Sequence, residues 1–237
     1  MKRIIVIGDV HGDWNFLNAL INTERPDLIL ACGDFGYWPK FHNTTLISGP
    51  GSKKWDQYGI KNKDTKIYWC DGNHEDHWAI RTELVEKGIS EIMPNVFYMK
   101  RGSTLELPDK RIVLFMGGAE STDRLIRTMG HDWFPEETIR ERDLIDLPDC
   151  RVDIVISHTC PKEFYKKLIT DRNVNSYPWY ETRDPSREAL SYILSKYKPS
   201  LWYFGHFHMF KMGYYGDTRW TVLNMAPNSF WWKDLAK

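Results

Sequence analysis

The sequence predicts an α/β fold with a largely parallel sheet covered on both faces, and three observations predict it. Short runs rich in Ile, Val, Leu and aromatics are continuous instead of alternating. They stop abruptly at Gly, Asp, Asn or His, and the stretches between several of them carry helical spacing. A strand covered on both faces has no polar side to alternate with, so the unbroken apolar run is its signature.

The elements follow in chain order. Ile4-Ile5-Val6-Ile7 ends at Gly8-Asp9, and Leu28-Ile29-Leu30 leads to Gly33-Asp34. Between them Trp14, Leu17, Leu20 and Ile21 recur at helical intervals behind Asp13, a suitable N-cap, which makes a βαβ unit. Ile67-Tyr68-Trp69 leads to Asp71-Gly72-Asn73-His74, residues 111–116 to Gly117-Gly118, Ile154-Val155-Ile156 to Ser157-His158, and Leu201–Phe204 to Gly205-His206-Phe207-His208. Pro135 predicts a helix over 136–144, and Pro185 with apolar residues at Ala189, Leu190, Ile193 and Leu194 predicts another over 186–197. At the end of the chain, 211–215 and 218–225 flank Gly216-Asp217, a hairpin turn, so antiparallel strands are expected there.

Composition narrows the function. The chain has 237 residues and 32 Lys+Arg against 32 Asp+Glu, a formal charge of zero. A protein that neutralises many phosphates along a duplex needs an excess of Lys and Arg, so an extended nucleic-acid groove is excluded and any anion must be met locally. With 42% hydrophobic and 27% charged residues, one domain over 1–237 is expected. No apolar run approaches the roughly 18 residues of a spanning helix, so no membrane partner is expected. Cys32, Cys70, Cys150 and Cys160 form no close pair, and the apolar run of MKRIIVIGDV is too short for a signal peptide. A reduced, cytoplasmic protein is therefore expected. Aromatic residues make up 14% of the chain, and two stretches, 35–63 and 161–185, read as aromatic-rich loops. Their rings either pack on the domain or stack on a planar substrate group.

The residues at the carboxyl ends of the predicted strands are Asp9 and His11, Asp34, Asn73 and His74, His158, and His206 and His208. In an open α/β sheet ligands bind outside those ends, so residues far apart in sequence converge. Imidazoles and hard oxygens without a thiolate suit Mn, Fe, Zn or Mg. The set is too large for one tetrahedral ion and fits two ions sharing a carboxylate, the arrangement that stabilises attacking and leaving oxygens in phosphoryl displacement. His42, His77 and His131 lie outside these blocks and are read as structural, Asp71 as a turn residue, and Cys32 and Cys70 as apolar packing.

Gly8-Asp9-Val10-His11-Gly12, Gly33-Asp34, Gly72-Asn73-His74-Glu75, Ser157-His158 and Gly205-His206-Phe207-His208 resemble, in order, the signature blocks of the calcineurin-like metallophosphoesterase superfamily. The resemblance implies a two-sheet αββα sandwich with the active site at the C-terminal ends of the strands. It also implies two divalent cations, Mn2+ first and Fe, Zn or Mg as alternatives. Asp9, His11 and His208 would hold one ion, Asn73, His158 and His206 the other, and Asp34 would bridge them. A hydroxide bridging the ions would be the nucleophile, and His74, oriented by Glu75 or Asp76, the general acid. The implied activity is hydrolysis of a phosphoester; the aromatic-rich loops at 35–63 and 161–185 add a lean to a phosphodiester or nucleotide-type substrate such as a nucleic-acid end.

A narrower resemblance, to a group of bacterial and phage metallophosphoesterases, covers Gly117-Gly118-Ala119-Glu120-Ser121-Thr122-Asp123 with Arg127, Gly130, Trp133, Pro135 and Glu137. Arg127 is the candidate to meet a substrate phosphate, against the ordinary reading of an ion pair. The D-R-G of protein Ser/Thr phosphatases is replaced by Asp34-Phe35-Gly36, which sets that branch behind. The lariat-debranching branch usually has Cys where this chain has Asp9. A phosphomonoesterase is the alternative activity, and a non-catalytic metal-binding scaffold the alternative class, although a scaffold would be expected to have lost ligands and here every ligand position is filled.

Overall fold

The computed structural model describes residues 2–39, 59–61, 64–169 and 184–236. His42 and the aromatics Phe41, Trp55, Tyr58, Tyr177, Trp179 and Tyr180 lie outside the described residues. The elements are β1 (Ile4–Ile7), α1 (Trp14–Glu24), β2 (Leu28–Ala31), β3 (Lys66–Trp69) and α2 (His77–Ala79), which continues as a π-helical turn over Ile80–Val85. Then come β4 (Glu91–Met93), β5 (Val96–Tyr98), β6 (Thr104–Glu106), β7 (Ile112–Met116), β8 (Ile154–Ser157), α3 (Lys162–Ile169) and α4 (Ser186–Tyr197). The chain closes with β9 (Leu201–Phe204), β10 (Lys211–Tyr215), β11 (Thr218–Val222) and β12 (Trp232–Asp234).

These strands form two six-stranded sheets, in the orders β12-β1-β2-β3-β5-β4 and β10-β11-β9-β8-β7-β6. The centre of each is parallel, and the outer strands β12, β4, β10 and β6 pair antiparallel. Alternation along each strand sends neighbours into different layers. Ile4 and Val6 of β1 pack between the sheets with Leu30, Val113, Phe115, Ile154, Ile156 and Tyr203. Ile5 and Ile7 face the other way, toward Leu17, Leu20 and Ile21 of α1. The second sheet covers its outer face with α3 and α4, through Phe164, Leu190, Ile193 and Trp202. Both faces of the central strands are thus buried, which is why those strands are apolar without interruption, and the architecture is the expected αββα sandwich.

Four elements depart from the sequence expectation. Asp13 stands at the N-cap of α1 but its side chain makes no capping hydrogen bond. Residues 162–169, inside the stretch read as loop, form α3. The last long strand stops at Val222, short of residue 225. Over 136–144 there is no continuous helix, only two 3-10 turns, Pro135–Glu137 and Glu141–Leu144, with Thr138 and Arg140 extended between them. The backbone groups a helix would pair internally are taken elsewhere. The Glu136, Glu137 and Thr138 carbonyls accept from the Arg101 guanidinium, and Ile139 N–H donates to Ser186 Oγ.

Arg101 therefore joins that segment to the first sheet. Its Nη2 lies 2.6 Å from Asp71 Oδ2 and its Nη1 3.0 Å from Asp143 Oδ2. Asp71, expected as a turn residue, is buried and also accepts from Tyr98 Oη at 3.0 Å. Removing one partner of a buried ion pair strands the other charge in the interior. Arg101→Met is expected to destabilise the fold by about 3–5 kcal/mol, read by urea unfolding, and Asp71→Asn added to it should recover part of that loss.

Candidate metal centre

β1 ends at Gly8 and Asp9, β2 at Cys32 to Asp34, β3 at Asp71 to His74, β8 at Ser157 and His158, and β9 at Gly205 to His208. Because these strands run parallel within their sheets, their ends meet at one edge of the sandwich. Local geometry then turns the side chains toward each other. His11, Asp34, His206 and His208 all have φ between 43° and 66°, in the left-handed region that L-residues rarely enter. Glycines provide the clearance. A Cβ on Gly33 would sit 2.6 Å from His158 Nδ1, and one on Gly72 would sit 2.1 Å from Asp34 Oδ1.

The result brings all seven expected ligands together. His208 Nε2 lies 3.1 Å from Asp9 Oδ2 and 3.3 Å from His11 Nε2. Asn73 Oδ1 lies 2.9 Å from His158 Nε2 and 3.0 Å from His206 Nδ1. Asp34 Oδ2 stands between the two sets, 3.3 Å from His158 Nε2 and 3.7 Å from His11 Nε2. Two groups here have donor atoms close enough to share an ion, Asp9 with His11 and His208, and Asp9 with Asp34 and His158.

The electrostatics fit a cation. Burial opposes charge on Asp34, yet this carboxyl is held well below the usual carboxylate range by His158, His74 and His11. Burial lowers His158, but Asp34 and Asp9 outweigh it and lift the ring to about 10. His11 and His206 are lowered, chiefly by burial. The carboxylates therefore need positive charge, while two imidazole nitrogens point at one another, a pairing that a shared cation reconciles. His158 Nδ1 lies 2.8 Å from Cys32 O, a contact that orients the ring with Nε2 toward the centre.

His74 stands beside the ligands, its ring centroid 5.2 Å from that of His11, and its N–H donates to Asp34 Oδ1 at 2.7 Å. Neither expected carboxylate orients it. Glu75 turns inward and accepts from Phe35, Gly36 and Gly72 N–H, and burial first, then Asp34, lifts it to about 8. Asp76 caps α2 through Ala79 N–H. The group that meets His74 is Arg127, whose Nη2 lies 2.6 Å from Nδ1 and 3.0 Å from Nε2. Arg127 also pairs with Asp123 at 2.7 Å and donates to Asp132 O, the ion pair that the ordinary reading expects. His74 is held well below its ordinary value, by burial first, with Asp34 opposing and His11 and Arg127 adding to the shift.

Some contributors carried no role in the sequence reading. Ser121 accepts from Asn73 Nδ2 at 3.1 Å, and Glu137 accepts from Ser121. Both stand in the quoted 117–137 segment, but no spacing rule ties them to Asn73. Conversely, Phe35, Tyr37 and Trp38 of the first aromatic stretch are core residues, with Phe35 stacked on Trp69 at 5.0 Å. His77 is buried beside Asp71, as a structural histidine would be.

The sequence profile of the calcineurin-like phosphoesterases matches residues 2–210. A lariat debranching enzyme of Schizosaccharomyces pombe is 25% identical over 231 residues, covering 87% of this chain and 48% of that protein. Its counterpart from Gallus gallus is 24% identical over 234 residues, covering 87% and 42%. The chain thus spans under half the length of these curated relatives. A phosphopantetheinyl hydrolase from Mycobacterium tuberculosis shares the fold, with a TM-score of 0.54 at 10% identity over 98% of this chain and 95% of that one. With the profile running from β1 through the last histidine block, the chain belongs to the calcineurin-like phosphoesterase family.

Proposed function

We propose that the chain is a metal-dependent phosphoester hydrolase with a two-ion centre, acting on a phosphodiester or nucleotide-type substrate. The observation that carries it is the pair of donor sets meeting at Asp34 Oδ2, 3.3 Å from His158 Nε2 and 3.7 Å from His11 Nε2. Asp9, His11 and His208 would hold one ion, Asn73, His158 and His206 the other, with Asp34 between them; the donors suit Mn2+ first, then Fe, Zn or Mg. When bound, such ions supply Lewis acidity and a water acidic enough to attack phosphorus near neutral pH.

The remaining work falls to the chain's own groups. His74 would protonate the departing oxygen, which requires its ring to carry the proton at the moment of cleavage. In the resting arrangement the buried ring faces the Arg127 guanidinium, which disfavours that proton. A phosphate oxygen meeting Arg127 would draw the guanidinium off the ring and place negative charge beside it, and both changes favour the protonated form. Arg127 Nε is buried and has no hydrogen-bond partner among the described residues, which leaves it a donor for such an oxygen. The lean to a diester draws support from the debranching enzymes among the relatives.

Asp34→Asn and His74→Ala are each expected to lower kcat about 100- to 10,000-fold on bis-aryl phosphate, as loss of a central ligand or a general acid does. Unchanged rates in both variants would overturn the proposal, and a strong preference for mono-aryl over bis-aryl phosphate would transfer it to monoesters. Chelation should abolish turnover and lower the melting temperature, and Mn2+ should restore both. Arg127→Ala is expected to lower kcat/KM about 10- to 150-fold, the loss of about 1.5–3 kcal/mol from a charged hydrogen bond.

A further inference from the structure

Among the residues assigned to metal, Asn73 is the one amide, and a half turn of its side chain puts a hydrogen-bond donor where the ligating oxygen should be. A carboxylate presents the same atom whichever way it turns, whereas an amide ligates through Oδ1 and repels a cation through its NH2 group. Something has to choose between two rotamers that differ by half a turn and have nearly the same shape.

The contacts behind Asn73 supply that choice. Asn73, Ser121 and Glu137 are 4%, 2% and 1% exposed, so no solvent intervenes. Glu137 collects three donors: Ser121 N–H at 2.6 Å and Trp133 Nε1–H at 2.9 Å on Oε1, and Ser121 Oγ–H at 2.7 Å on Oε2. A hydroxyl has one proton; burial lifts Glu137 to about 7 against the pull of its three donors, so at pH 8 it is an acceptor-only carboxylate and the Ser121 proton is committed to it. Its Oγ is left with lone pairs alone, so it faces a donor, and Asn73 Nδ2 meets it at 3.1 Å. The amide oxygen is thereby directed the other way, between His158 Nε2 and His206 Nδ1. A flipped amide would set oxygen against oxygen at Ser121. The clamp is also held in place independently of the centre, since Ala119 N–H donates to Glu137 O at 3.0 Å.

We propose that Glu137, acting through Ser121, is a positioning residue that fixes the polarity of the Asn73 amide and so sets the affinity of one of the two metal positions. The inference rests on the reading of Asn73 as a ligand. It predicts an effect confined to the ion held by Asn73, His158 and His206, with the ion held by Asp9, His11 and His208 unaffected.

The test is titration of the metal-free protein with Mn2+ at pH 8, followed by calorimetry. The unsubstituted chain is expected to take two ions. Ser121→Ala removes the relay and leaves the amide free to turn. Glu137→Gln offers an NH2 group to Ser121, which lets the hydroxyl proton swing toward Asn73. Each is expected to weaken one binding event about 10- to 100-fold and leave the other in place. In the Asn73→Asp background, where the ligand has no wrong end, Ser121→Ala should cost less than about threefold; a residue that only supported the fold would cost the same in both backgrounds. Two undisturbed binding events in both single variants would overturn the inference, as would equal losses in the two backgrounds. Should Glu137→Gln fail to fold, Ser121→Ala, which removes a single oxygen, decides the matter by itself. Failure of the unsubstituted chain to take two ions would instead overturn the two-ion reading beneath it.

Discussion

Burying a carboxylate is costly unless its oxygens are met, and Asp34 is met from every side. Its Oδ1 accepts His74 N–H, its Oδ2 faces two imidazoles, and its backbone carbonyl accepts both Val10 and His11 N–H at 3.1 and 2.7 Å. One residue thus ties the loops after β1, β2 and β3 to His158 from the second sheet. Glu75 tightens the same knot from below by gathering the N–H groups of Phe35, Gly36 and Gly72. These shared hydrogen bonds tie the loops to one another and hold the candidate ligands close together.

The backbone conformations carry the cost of this arrangement. A non-glycine residue in the left-handed region costs about 1–3 kcal/mol, and four of the candidate ligands are there. Such conformations persist only where the surroundings over-determine them. Here the two sheets do so, with the inter-sheet core of Val6, Leu30, Ile156 and Tyr203 directly beneath the strand ends. Stability in the sandwich is converted into fixed positions for side chains at its edge. The strain and the scaffold belong to one design, and the central strands lie next to the site for that reason.

The legible part of the sequence was the part governed by local rules. Strands buried on both faces had no choice but to be apolar, so β1, β2, β3, β7, β8 and β9 were visible along with the residues that end them. The three-residue strands β4, β5, β6 and β12 were not, because mixed segments such as Thr104–Glu106 acquire their pairing from a neighbour and not from their own pattern. The helix expected over 136–144 failed for a related reason: a single guanidinium, Arg101, claims carbonyls that helical spacing would have kept. At the site, the residues that converge were readable from the blocks, but the partner of His74 was not. Adjacent acids in the chain suggested Glu75 or Asp76, while the fold brings Arg127 from 53 residues away.

The balance of charge takes on a definite meaning in this light. Zero net charge leaves no overall excess of Lys and Arg, so on the proposed reading a phosphoester has to be held locally. The arginines nearest the site divide the labour by burial and partners. Arg101 is consumed by Asp71, Asp143 and backbone carbonyls, so its charge is spent on the fold. Arg127 pairs with one carboxylate, Asp123, and keeps Nε without a partner beside the imidazole ring. A guanidinium only partly neutralised next to a cluster of carboxylates and imidazoles acts over a short range, where screening by salt is weakest. If Arg127 meets the substrate as proposed, recognition built in this way is directed at a single phosphate at the ends of the strands.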